Sequence, residues 1–326
     1  MRNIQELIQL IQDRVSALEI ESQPAGMYEP ISYMMNIGGK RIRPLLCLLA
    51  YRMYAGEDRL EEVMAPALGI EMFHNFTLMH DDVMDRSFMR RGKPCVHVKW
   101  DENTAILSGD ALQILAYQYV QQAPEQYLKA CLDLFSRTAM ELCEGQALDM
   151  LFETQERVDK DDYLEMIRKK TAVLLACSLK MGAIIAGAPR QDQDLLYEYG
   201  INIGIAFQIK DDLLDVWGNP AVFGKAIGGD IMCNKKTFLL IHAMEQADEH
   251  DRHFLQEYLR TNDIDRGEKV ETVTRMYNRL GVREVCEAQM GSHQEKALQA
   301  LRKLSVPEQS WDDLRVLAEK MMNRQW

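Results

Sequence analysis

The chain has 326 residues and a formal net charge of -12, long enough to bury a large core and too acidic for the broad basic surface that nucleic acid demands. Its first stretch, MRNIQELIQLIQDRVSALEIE, is amphipathic with charges spread through it, unlike a secretion signal. No run approaches the ~18 apolar residues of a membrane span, so the expectation is a cytoplasmic protein without stable membrane insertion.

Apolar residues recur at helical spacing from the start, as Ile4, Leu7, Ile8, Ile11, Val15 and Leu18, while two-residue alternation is missing. The pattern predicts an all-α fold. Helices are expected over 3–20, 44–55, 60–85, 104–121, 125–152, 163–186, 192–217 and 236–248, with shorter ones from 251 onward. Breaks are placed at Pro24, Pro30, Pro44, Pro94, Pro124, Pro189, Pro220 and Pro307. Asp162 with Glu165 reads as a capping box, and Gly187 with Pro189 as a stop, bracketing the helix between them. TAVLLACSLKMGAIIAG and GINIGIAFQ are apolar on more than one face and belong inside a bundle. No Gly/Ser/Pro-rich linker divides the chain, which favours one large helical domain over 1–326. The cysteines at 47, 95, 131, 143, 177, 233 and 286 form no CxxC pair and read as reduced core thiols.

Two of these helices end in the same acidic pattern. HNFTLMHDDVMD closes with Asp81, Asp82 and Asp85, and AFQIKDDLLD with Asp211, Asp212 and Asp215. Residues four apart share a helix face, so Asp81 lies with Asp85 and Asp211 with Asp215; such like-charge pairs cost an isolated helix ~0.2–0.5 kcal/mol. A helix C-terminus also disfavours anions. The arrangement calls for a compensating cation, and Mg2+, held by one or two carboxylates plus phosphate oxygens, fits best. Basic clusters accompany both motifs: Lys40, Arg41 and Arg43 in GGKRIRP; Arg90, Arg91 and Lys93 after the first; Lys225, Lys235 and Lys236 in the glycine-rich loop after the second. Acid for metal and base for phosphate, both near long apolar helices, describe a pocket for a greasy diphosphate.

The paired DDxxD motifs, with GGKxxRP, RRG and the GxxxGxD loop, resemble the trans-isoprenyl diphosphate synthases over residues 36–240. The resemblance implies a helical bundle around a deep cavity, in a homodimer. It also implies that Asp81, Asp85 and Asp211 bind three Mg2+ ions bridging to an allylic diphosphate, supported by Asp82, Asp212 and Asp215. Arg90, Lys170, Lys225 and Lys235 match positions contacting that diphosphate. Lys40, Arg43, His74 and Arg91 match the isopentenyl diphosphate site. Thr171 and Gln208 match groups near the developing cation and leaving group, and Gln146 with Asp149 a helix facing the same cavity. Two departures stand out: Cys233 occupies a position where an acidic residue is common, and KMMNRQW lacks the basic tail of eukaryotic farnesyl synthases.

Product length is read just before Asp81. Phe76, five residues back, is large enough to act as a floor, whereas Thr77 is small, and the motif lacks the two-residue insertion of bacterial farnesyl synthases. That combination resembles archaeal geranylgeranyl synthases, so a C20 product is expected over C15. Three alternatives compete. A terpene cyclase would carry an Asn/Ser/Glu pattern at its second motif, where DDLLD stands. A non-catalytic partner subunit tends to lose aspartates, and all six are present. An acidic helical scaffold would bind no diphosphate.

Overall fold

The computed structural model describes residues 2–20, 22–219, 227–261 and 264–323. Among the described residues, helices account for nearly all regular structure, and the strands are a two-stranded antiparallel pair, Met89–Arg90 (β1) with Lys93–Pro94 (β2). None of the helices is long and apolar enough to cross a membrane among the described residues. By contact, the chain groups into two compact units: Met1–Arg137 with Cys177–Tyr197 and Leu304–Leu314, and Thr138–Ala176 with Glu198–Lys303 and Arg315–Trp326.

In the first unit, helix α1 (Ile4–Ser16) begins where Asn3 and Glu6 cap each other, the Asn3 side chain accepting from the Glu6 N–H at 3.0 Å and Glu6 from the Asn3 N–H at 2.7 Å. It buries Ile4, Leu7, Ile11 and Val15, one stripe at three- and four-residue spacing. It stops at Ser16, short of the expected 20. Helix α2 (Ala25–Asn36) corrects the reading of Pro24 and Pro30 as breaks. Pro24 takes the cap position, where no helical N–H is needed, and Pro30 sits inside the helix. The backbone bond it forfeits is offset by burial of Ile31, Met34 and Met35. In α3 (Ile42–Ala55), Pro44 lies in the first turn and breaks nothing.

Helix α4 (Glu61–Met84) carries the first aspartate motif at its end, packed against α6 (Glu102–Val120); the one-turn α5 (Val96–Lys99) lies between them in sequence. The close approach has a local cause. A Cβ on Gly69 would stand 2.8 Å from the Ala116 carbonyl oxygen, so only glycine admits α6 at this distance.

In the second unit, the end of α7 (Glu125–Thr154), α8 (Lys160–Ile167), a π-helical turn at Arg168–Ala172 and the later part of α10 (Arg190–Trp217) surround an apolar cluster that includes Phe152, Tyr163, Ile205, Ile209, Leu213 and Phe238. The expected continuous helix 163–186 is therefore three segments: α8, the π turn and α9 (Val173–Ile185). It also starts earlier. Asp162 accepts from the Asp159 N–H at 3.4 Å, making Asp159 the cap, while Glu165 pairs with Arg168 at 2.6 Å instead. The stop is as expected, with Gly187 at φ +70° and its N–H on the Ile184 carbonyl. The expected 236–248 helix is Phe238–Gln246, preceded by the single turn Gly229–Met232.

Candidate functional site

In the first unit, the candidate residues lie at the end of α4 and in the loop before α3. Asp82 is buried, and both its oxygens accept from Arg90, at 2.7–2.9 Å, in a bidentate fork. Asp81 is half-buried and Asp85, at the C-cap, exposed. The motif thus separates into one carboxylate neutralised by an arginine and two with access to solvent. Arg90 belongs to β1, so the small hairpin serves to bring it back over the helix end.

The GGKRIRP loop owes its path to left-handed backbone: Gly38 at φ +98°, Gly39 at φ +144° and Arg41 at φ +51°. Arg41 withstands that conformation because its buried guanidinium is held three ways, by Glu71 at 2.7 Å, by the Met35 carbonyl at 2.7 Å and by Gln12 at 3.1 Å. The Arg91 guanidinium lies against Gly39, where a Cβ would fall 2.8 Å from it, and donates to the Gly38 carbonyl. Arg43 donates to His74 Nε2 at 3.0 Å. An arginine only donates, so Nε2 is the lone-pair nitrogen and Nδ1 carries the ring proton. Burial, then Arg43, Arg91, Arg90 and Arg41, hold the His74 pKa well below its ordinary value, leaving the ring neutral. Burial also lowers Arg43 to about 10. Arg43, His74 and Arg91 thus share one electropositive patch, with Lys40 exposed beside it. Phe76 is buried against Phe73 and His80, ring centroids 5.3 and 4.8 Å apart, and Thr77 donates to the His74 carbonyl at 2.8 Å.

The aspartate motif of the second unit shows the same division. Asp211 is half-buried, whereas Asp212 and Asp215 are buried and occupied by protein donors. Asp212 accepts from the Tyr163 hydroxyl and from Gln208 Nε2 at 3.2 Å; burial pushes its carboxyl up to about 8. Asp215 accepts from the backbone N–H groups of Gly229 at 3.2 Å and Asp230 at 3.0 Å, so it anchors the start of the short helix Gly229–Met232 (α11). Since Gln208 gives its amide N–H to Asp212, its oxygen faces Thr171, whose hydroxyl donates to it at 3.3 Å. Lys170 pairs with Asp149 at 2.6 Å, and Lys235 stands 3.8 Å from the same oxygen. The two lysines hold the Asp149 carboxyl below the usual range against its burial. Gln146 lies one turn before Asp149 and is buried. Lys225 lies outside the described residues.

Tyr163 was not singled out by sequence as a site residue, and Arg41, grouped there with the phosphate-binding cations, is instead buried on Glu71, Met35 and Gln12. The signal available for Tyr163 is its placement seven residues, two helical turns, before Lys170. For Arg41 it is an arginine immediately after a Gly-Gly-Lys turn, opposite a glutamate on an apolar helix face.

The accessible carboxylates, at 81 and 85 in the first unit and at 211 in the second, are hard oxygen ligands of the kind a divalent cation takes, and each unit also carries basic groups able to take phosphate. Neither motif alone gathers three ligand atoms. Among the described residues, the group that does is Asp248, His250 and Asp251, within 4.8 Å at the surface, where Asp251 is paired with Arg279 at 2.6 Å and Asp248 caps a helix.

Residues 24–278 match the Polyprenyl synthetase family. The geranylgeranyl diphosphate synthase of Methanosarcina mazei is 45% identical over 69% of this chain and 70% of its own length. The geranylfarnesyl diphosphate synthase of Natronomonas pharaonis is 38% identical over 75% of this chain and 76% of its own. Among solved structures, the geranylgeranyl pyrophosphate synthetase of Pyrococcus horikoshii matches with a TM-score of 0.91 at 35% identity, covering 99% of this chain and 97% of its own. A synthase from Corynebacterium glutamicum, solved with isoprenyl diphosphate and magnesium, matches at 0.88 and 28% identity, covering 99% and 100%. This chain belongs to the polyprenyl synthetase family and is a prenyltransferase.

Proposed function

We propose that the chain adds isopentenyl diphosphate to allylic diphosphates and stops at geranylgeranyl diphosphate, C20. The observation that carries the product assignment is Phe76, a buried aromatic side chain about 7.5 Å along the helix from Asp81 at 1.5 Å per residue, braced by Phe73 and His80. The name of the Methanosarcina mazei relative supports C20, and that of the Natronomonas pharaonis relative sets C25 as the neighbouring possibility.

In this reading Lys40, Arg43, His74 and Arg91 hold isopentenyl diphosphate. Neutral His74 contributes as a hydrogen-bond group and arginines supply the charge. Arg90, Lys170, Lys225 and Lys235 serve the allylic diphosphate, and Asp149 keeps Lys170 and Lys235 in place until substrate arrives. Asp81, Asp85 and Asp211 would hold three Mg2+ ions, which supply Lewis acidity toward the departing diphosphate. Asp82, Asp212 and Asp215 support them, each already fixed by protein donors. Because its hydroxyl hydrogen is engaged by Gln208, Thr171 would offer oxygen lone pairs to the allylic carbon whose carbon–oxygen bond breaks. The alkene of isopentenyl diphosphate attacks that carbon, and a proton passes to the released diphosphate; no protein nucleophile is required.

The matched span, 24–278, draws on both compact units and supports reading the chain as one synthase domain. A homodimer is part of the proposal, supported by large apolar side chains left exposed on α6, Ile106, Leu107 and Ile114, and on α7, Met140, Met150 and Leu151. Consumption of isopentenyl diphosphate that needs both an allylic partner and Mg2+, and is lost in Asp81→Asn, tests the activity. Consumption without an allylic partner, or an unaffected variant, would overturn it.

A further inference from the structure

Helix α14 (Arg266–Arg279) buries a lysine that the proposed reaction does not use. Lys269 is 4% exposed, and a lysine so deeply buried is ordinarily paired with a carboxylate. Among the described residues its ammonium donates instead to two neutral oxygens, the Asn234 side chain at 2.9 Å and the Leu259 carbonyl at 3.2 Å. Cys233, exposed like Cys143 against the expectation of core thiols, provides no carboxylate there.

Asn234 is the residue that needs holding. Its φ of +52° is left-handed, a conformation that glycine adopts freely and that asparagine accepts when its short polar side chain is held by a hydrogen bond. That turn ends α11 and sends the chain back on itself, with the Lys235 N–H on the Asp230 carbonyl at 2.9 Å. The reversal sets Lys235 3.8 Å from Asp149, the partner of Lys170. Charge on Lys269 strengthens its bond to the Asn234 oxygen, and enclosure keeps water from competing.

We propose that Lys269 is a positioning residue for the allylic diphosphate: by binding the Asn234 side chain it holds the left-handed turn that aims Lys235 at the Asp149–Lys170 pair. The proposal rests on the synthase reading above. It differs from a purely structural role in a specific way, because the required turn can be supplied by another residue.

Lys269→Met, which keeps the aliphatic stem, is expected to raise the KM for the allylic diphosphate about tenfold and to weaken calorimetric binding of inorganic diphosphate equally, the loss of roughly one charge-assisted contact. The KM for isopentenyl diphosphate should stay within about twofold. Adding Asn234→Gly to Lys269→Met should recover most of the allylic KM, since glycine takes the turn unaided. The proposal is overturned if Lys269→Met leaves both allylic KM and diphosphate affinity unchanged, or if glycine fails to recover them. Should Lys269→Met not fold, the natural chain with Asn234→Ala and with Asn234→Gly decides: alanine should weaken diphosphate binding and glycine should not, and equal behaviour overturns the idea. Because the calorimetry needs no turnover, an inactive natural protein would sink the synthase reading while leaving the Lys269 effect measurable.

Discussion

Phe76 and Thr77 sit side by side before the first motif, but their surroundings differ. Phe76 is locked between Phe73 and His80, whereas the Thr77 hydroxyl is spent on its own helix, bonding the His74 carbonyl. Phe76→Ala should therefore lengthen the product beyond C20, read by chromatography of the dephosphorylated alcohols; an unchanged length would remove Phe76 as the floor. Tyr163 acts one step further from the chemistry. Tyr163→Phe takes a donor from buried Asp212, a loss of about 1–3 kcal/mol for a polar group left short of a partner. The variant should lose stability in urea and lower kcat more than either KM, since Asp212 also orients Gln208 and, through it, Thr171. Equal kcat in a destabilised protein would limit Tyr163 to the fold. The aspartates and the basic clusters stand out in sequence as candidates because charged residues at the ends of apolar helices are hard to place otherwise, and Phe76 stands out only by its spacing from Asp81. Tyr163 and Lys269 do not, since a tyrosine or lysine on a helix face usually reaches solvent and only tertiary packing buries it.

At the scale of elements, helix existence followed from apolar periodicity, and the departures have separate physical causes. Pro30 was outweighed by the burial of its own helix, and the π turn at Arg168–Ala172 leaves no mark on a pattern of three- and four-residue spacing. That turn carries Lys170 and Thr171, and Gly145 on α7 makes room for it. A Cβ on Gly145 would lie 2.7 Å from the Lys169 carbonyl carbon and 2.8 Å from the Lys170 Cα, contacts with backbone that cannot swing aside. Gly145→Ala should cost about 1–3 kcal/mol by overpacking and depress turnover by shifting Lys170. Wild-type melting and turnover in this variant would show the π turn to be more yielding than its packing suggests. The other buried device, Arg41 with Glu71, should be less tolerant still. Glu71→Ala strands a buried guanidinium, a loss of about 3–5 kcal/mol that a melting curve would register.

Taken as a whole, the molecule keeps several histidines neutral. Burial lowers the pKa of His74, of His242 and, to about 4, of His293, whose Nδ1 lies 2.8 Å from the Asn202 side-chain oxygen. In each case the unfolded chain binds its proton first, near 6.5, so the stability associated with the neutral rings is complete above that pH and declines as pH falls toward the folded values. The histidine share, read as the difference in urea midpoint between the natural chain and His293→Gln, should be constant from pH 7 to 8 and shrink between about 6.5 and 4, while the raised Asp212 carboxyl lowers the absolute midpoints of both chains as pH climbs toward 8. The central claim is tested most directly by product length. Purified protein, Mg2+ and isopentenyl diphosphate, offered the C5, C10 and C15 allylic diphosphates in turn, should in every case accumulate the C20 alcohol after dephosphorylation. Accumulation at C15 or C25 would contradict the reading of Phe76, and no elongation from any starter by folded protein would contradict the synthase itself.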